Sequence, residues 1–124
     1  MPLITLEYVD TLDADNEKKV LNFSTSLLKE PVNKSSLFVI KVDGKSMQPV
    51  IKDRTLVVAD LSQKELEDGG IYLVYYDNKM WIKQAKEKLS GMTLVSINQE
   101  YSHLIYKAEE VRVVAKAVLS FNTF

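Results

Sequence analysis

The chain has 124 residues, 46% of them apolar and 27% charged, with 16 basic against 17 acidic side chains and a net charge of −1. This balance suits one soluble domain and denies it the overall positive field that would hold nucleic acid or an anionic membrane. There is no cysteine and one histidine, His103, which excludes disulfides, thiolate catalysis and cysteine-ligated zinc and argues against a histidine-based metal site or a Ser-His-Asp triad. Neither a metal nor a cofactor is expected.

In chain order, Leu3 to Tyr8 reads as a short strand. The acidic stretch "DTLDADNE" that follows has no regular period and reads as an exposed loop, so residues 1–20 are expected to form a linker or N-terminal arm ahead of a domain over 21–124. The start carries no basic segment followed by an apolar one, so no signal peptide is expected. No apolar run approaches the ~20 residues that cross a bilayer. With the absence of cysteine, which suits a reducing compartment, this points to the cytoplasm. "STSLLKEP" predicts one short helix, capped by Ser24 or Ser26 and stopped by Pro31.

From Leu37 the pattern turns to β. "LFVIKV", "TLVVAD", "IYLVYY", "MWIKQA", "MTLVSI", "HLIY" and "VRVVAKAVLSF" are short runs rich in branched and aromatic residues. Asp77-Asn78-Lys79 between two of them predicts a tight hairpin. "SQKELED", residues 62–68, is a second short helical candidate. The fold class is therefore mainly β, a curved sheet or partly closed barrel with one or two short helices.

The candidate chemistry begins at "VDGKSMQPVI". Gly44 can take positive φ, so the chain can bend sharply and aim backbone N–H groups at one spot. Pro49 stiffens the exit. Ser46 at such a bend is accessible, although a serine in a Gly/Pro turn is ordinarily a turn residue and nothing more. A serine nucleophile needs a base, and nothing pairs His103 with Ser46. A lysine serves only if its pKa falls from ~10.4 toward ~7–8. Lys83 fits best: it lies mid-strand in "MWIKQA", on the same face as Trp81 and Ala85 by alternation. The plainer alternative is a snorkelling lysine, with its stem over Trp81 and its ammonium in water. The remaining lysines fall in mixed-charge surface runs. Tyr72, Tyr75 and Tyr76 read as sheet packing.

"VDGKSMQPVIKDRTLVVAD", "DGGIYLVYYDNKMWIKQ", "LVSINQEYSHLIY" and "EEVRVVAKAVLSF" resemble, in that order, the LexA / phage CI-repressor / UmuD-like Ser-Lys peptidase domain. The likeness runs from about Leu21 to Leu119, and "LNFSTSLLKE" followed by "LFVIKVDGKSM" looks most like the prophage repressors. The resemblance implies a LexA-like C-terminal domain with Ser46 as nucleophile and Lys83 as neutral base. It also implies an oxyanion site at the N–H groups of Lys45 and Ser46, in a turn shaped by Gly44, Met47 and Pro49. It implies an autoproteolytic serine peptidase that forms a homodimer through its C-terminal strands. DNA would be held by an N-terminal helix-turn-helix domain, and an activated recombinase filament would act as trigger, as in the SOS response. Cleavage would part the DNA-binding half from the dimerising half and end repression, because paired half-sites need a dimer.

The sequence departs from that pattern in four places. Residues 1–20 are too short for a helix-turn-helix, so a C-terminal fragment or a protein without that domain is expected. The family's Ala-Gly or Cys-Gly cleavage pair is missing: no alanine here precedes a glycine. Asp53-Arg54-Thr55 stands where relatives have Asp-Gly-Asp, which puts the turn geometry in question. Lys45 precedes Ser46 where relatives often have Asp; it could depress the Lys83 pKa or disturb the oxyanion site. Signal peptidase I shares the Ser-Met and lysine arrangement but needs a membrane anchor. Two further readings stay open: a non-catalytic dimerisation module, and a UmuD-like DNA-polymerase accessory protein.

Overall fold

The computed structural model describes residues 3–9, 17–29, 33–101 and 104–122. His103, Pro31 and most of the acidic stretch lie outside them. Among the described residues nine strands form two antiparallel sheets: β1 (Leu3–Val9), β2 (Lys18–Ser24), β3 (Leu37–Lys41), β4 (Leu56–Asp60), β5 (Ile71–Tyr76), β6 (Lys79–Lys88), β7 (Gly91–Val95), β8 (Tyr106–Lys107) and β9 (Arg112–Phe121). β1 and β2 make a two-stranded sheet; the other seven run in the order β3-β4-β9-β5-β6-β7-β8. The mainly β expectation holds, and the large sheet stays open because β3 and β8 end it without meeting.

The hairpin β1–β2 packs its inward residues onto the large sheet. Ile4, Leu6 and Phe23 alternate inward and join Leu37, Val39 and Val58 in one apolar cluster. Phe23 also meets the ring of Phe121 at 6.0 Å between centroids. β2 escapes a reading by composition: "KKVLNFS" carries two lysines and an asparagine, and only its alternation marks it as a half-buried strand.

The β5–β6 hairpin turns on Asp77 and Asn78, both at positive φ (51° and 60°). That is the mirror-image two-residue turn whose twist suits a hairpin. β9 binds the two halves of the sheet together. Its Arg112–Lys116 half pairs with β5, and its Lys116–Phe121 half pairs with β4.

Neither expected helix forms. Over "STSLLKEP" there is only a 3-10 turn, Thr25–Leu27, with Ser24 Oγ accepting from Ser26 N as the cap predicted. So few residues cannot offset the cost of helix nucleation. "SQKELED" is an irregular strap across β5 and β6. The Tyr72 hydroxyl donates to Glu65 O (2.8 Å) and accepts from Glu67 N (2.9 Å). Asp68 Oδ1 accepts from Glu87 N, 2.8 Å. Backbone groups that would close a helix are spent on tertiary partners, and Gly70 lets the Tyr72 ring approach: a Cβ there would lie 2.8 Å from it. The strap starts at Asp60, whose carboxylate accepts from Ser62 N, Ser62 Oγ and Gln63 Nε2. Burial works to raise the Asp60 pKa, and these bonds outweigh it and leave it lowered.

Asp53-Arg54-Thr55 closes a tight turn despite lacking the family's glycine. Arg54 N donates to Val42 O (2.7 Å), Val42 N to Thr55 O (2.8 Å), and Gly44 N to Asp53 Oδ1 (2.8 Å). Arg54 sits at φ 67°, the left-handed region. That conformation costs an L-residue roughly 1–2 kcal/mol, against about 0.5–1 kcal/mol of entropy lost by a glycine. Arg54→Gly is therefore expected to raise stability by up to ~1 kcal/mol in urea unfolding; a loss would contradict the geometry.

Candidate active site

Ser46 lies in a turn held from several sides. After Gly44 (φ 119°) the chain bends, with Gln48 N donating to Lys45 O (3.1 Å) and Ile51 N to Met47 O (2.9 Å). This helical spacing sends Met47 and Ile51 inward together, where both are buried with Val42 and Val57. Ser46, just before Met47, stays half-buried and Pro49 is exposed. The far side of the turn is tied to the end of β9. Asn122 Oδ1 accepts from Lys52 N (3.3 Å) and Thr55 Oγ1 (2.9 Å), and Asn122 Nδ2 donates to Val50 O (3.2 Å).

Lys83 is the most unusual charged residue of the fold. It is 1% exposed, on β6 opposite the buried Tyr72 of β5. Snorkelling is thereby ruled out: the amine does not reach water. Nζ donates to Ser96 Oγ at 2.7 Å. The Trp81 and Tyr106 ring centroids lie 5.8 and 5.5 Å from it. Two aromatic faces attract an ammonium weakly; burial opposes the charge more strongly and lowers the lysine pKa. Burial, with the neighbouring charges of Tyr76, Asp77 and Glu110, also raises the Tyr106 pKa.

Among the described residues the hydrogen-bond partner of the amine is Ser96, not Ser46. The two candidate residues are joined instead through residues 96–98. Ser96 meets Lys83, Ile97 packs against the cluster of Met47 and Ile51, and Asn98 bonds the Ser46 turn. Asn98 N donates to Ser46 O (2.9 Å) and Asn98 Nδ2 to Lys45 O (2.8 Å). The N–H groups of Lys45 and Ser46 donate to nothing among the described residues. "SIN" falls within a segment that resembles the family, but no residue type in it announces a role. Only its position between serine turn and lysine does.

No group of three or more His, Cys, Asp or Glu among the described residues could hold a metal. Among those residues no helix is long and apolar enough to cross a membrane.

Residues 9–118 match the family model described as Peptidase S24-like. The chain is 37% identical over 62 residues to an uncharacterized HTH-type transcriptional regulator of Haemophilus influenzae, covering 50% of this chain and 26% of that protein. It is 32% identical over 93 residues to the repressor protein CI of Enterobacteria phage phi80 (72% and 39%). It is 33% identical over 82 residues to the LexA repressor of Thermosipho africanus (65% and 41%). The chain thus spans well under half the length of these curated relatives.

The buried amine makes a stability prediction. The unfolded chain keeps the Lys83 proton up to ~10.4, whereas the folded chain releases it earlier. Stability should therefore rise with pH across the window below ~10.4, because the unfolded state there binds more protons. Lys83→Met should remove that slope and raise the melting temperature at neutral pH. Melting curves at neutral and alkaline pH check this; a variant less stable than the parent at pH ~7 would contradict a desolvated ammonium.

Proposed function

This chain belongs to the Peptidase S24-like family, and from that premise we propose that it is the C-terminal regulatory and dimerisation domain of a phage-type transcriptional repressor. Ser46 and Lys83 are its Ser-Lys peptidase dyad. Residues 21–124 carry both functions, and within the proposed arm, residues 1–20, the strand Leu3–Val9 packs back onto this domain. The relatives' names, an HTH-type regulator and the CI and LexA repressors, support the regulatory role. The observation that carries the dyad is the 1%-exposed Lys83, its pKa lowered by burial, tied through residues 96–98 to the turn of Ser46.

The chemistry follows from those groups. The neutral Lys83 amine takes the Ser46 hydroxyl proton, and the oxygen attacks a peptide carbonyl carbon. The N–H groups of Lys45 and Ser46, which donate to nothing among the described residues, receive the charge that develops on the carbonyl oxygen. The Lys83 ammonium returns its proton to the leaving amine. Water, activated by the same amine, then releases the acyl group from Ser46. No alanine here precedes a glycine, so the bond cut lies elsewhere in a longer protein or on a partner chain. The setting is cytoplasmic, with an activated recombinase filament as inducer.

The test uses the full-length protein. Self-cleavage should speed up from pH ~7 to ~10 as more Lys83 becomes neutral. Ser46→Ala should abolish it while costing under ~1 kcal/mol of stability. A pH-independent rate would contradict the lysine base. A second reading, a non-catalytic dimerisation module, is favoured by the amine's bond to Ser96 rather than Ser46. Complete resistance of the parent protein at every pH would select it.

Dimerisation is proposed through β9. Among the described residues this strand pairs beyond Lys116 with β4 alone, which leaves its other edge open over 117–121. A groove of about 440 Å³ between Leu28, Val50, Ile51 and Ile71 runs along that edge. An open edge is a template for a second strand. The chain should sediment as a dimer. Ser120→Lys, a charge at an exposed edge position, should shift it toward monomer without unfolding it; an unchanged dimer would place the interface elsewhere.

A further inference from the structure

We infer that Asn98 is a positioning residue for this reaction: its side-chain amide holds the Lys45 carbonyl and thereby aims the Ser46 N–H at the oxyanion. This rests on reading Ser46 as the nucleophile. A trans peptide points its C=O and N–H in opposite directions. Whatever fixes Lys45 O therefore fixes Ser46 N–H, which belongs to the same peptide unit. Lys45 O accepts two bonds, from Asn98 Nδ2 at 2.8 Å and from Gln48 N at 3.1 Å. The next carbonyl, Ser46 O, accepts from Asn98 N at 2.9 Å. One residue thus grips both carbonyls that flank the Ser46 N–H and Cα.

The grip is itself fixed. Asn98 Oδ1 accepts from Glu100 N at 3.0 Å, so the side-chain amide is held at both ends. Ile97 anchors the segment in the cluster of Met47 and Ile51. Two residues before Asn98, Ser96 holds the Lys83 amine. The brace therefore sets the direction of the serine turn relative to the base as well as the aim of the donor. Oxyanion donors act by being aimed before charge develops, so a loss of aim lowers the rate even when the donor is still present.

Two variants separate the functions of the side chain. Asn98→Ala removes donor and acceptor. Asn98→Asp keeps the acceptor for Glu100 N–H and replaces the donor to Lys45 O with a carboxylate oxygen that repels it. In both, heteronuclear NMR of the 124-residue chain should show the Ser46 amide resonance displaced and its three-bond coupling moved toward that of an unstructured chain. Full-length protein carrying Asn98→Ala should cleave itself roughly ten- to a hundredfold more slowly. The pH midpoint of its rate should match the parent's, because the surroundings of Lys83 are untouched. A Ser46 amide unchanged in both variants, or Asn98→Asp cleaving at the parent rate, would overturn the assignment. Failure of the dyad reading looks different: Ser46→Ala would still cleave, while the Ser46 amide would still respond to Asn98→Ala.

Discussion

The hydrogen bond between the buried Lys83 amine and the Ser96 hydroxyl is the constraint on which the site depends. An ammonium at 1% exposure with no acidic partner among the described residues is costly. The fold resolves that cost by favouring the neutral amine, the form that can take a proton. Ser96 satisfies the nitrogen without stabilising its charge as a carboxylate would. A carboxylate in place of that hydroxyl would hold the proton on the amine.

The serine turn depends on a different kind of support. Residues 44–55 have no repetitive structure of their own, and their local hydrogen bonds are few. Three distant elements shape them: the apolar cluster that receives Met47 and Ile51, Asn98 on one side, and Asn122 on the other. Each bond contributes on the order of 1 kcal/mol. Together they convert a flexible bend into a fixed direction. Asn122 also ties the turn to the end of β9, the strand with the open edge, so the proposed dimer interface and serine turn share one strand.

The sheet explains why these parts meet. β6 continues past its pairing with β5 to pair with β7, and the 96–98 segment leaves β7 directly. Lys83 and Ser96 therefore sit near the point where the two ladders change over. The 96–98 segment then crosses to the turn that follows β3. Lys83 and Ser46 are 37 residues apart in sequence, and the three-residue segment 96–98 joins them through hydrogen bonds to each.

Much of this was legible in the residues themselves. Branched and aromatic runs mark most strands from Leu37 onward, although of "HLIY" only Tyr106 joins one, and Asp77-Asn78 marks the hairpin. Alternation along "MWIKQA" places Lys83 on the face of Trp81 and Ala85, and the motif around Gly44 marks the bend. Those are local properties: period, propensity and backbone permission. Tertiary structure decided the rest. "SQKELED" has helical composition but spends its backbone on Tyr72 and β6, and Arg54 accepts a glycine's conformation because three long-range bonds close the turn around it. Whether the stem of Lys83 leads to water or to a hydroxyl, and which asparagine grips the serine turn, depends on which strands become neighbours. Neighbours far apart in the chain leave no periodic trace in either segment alone.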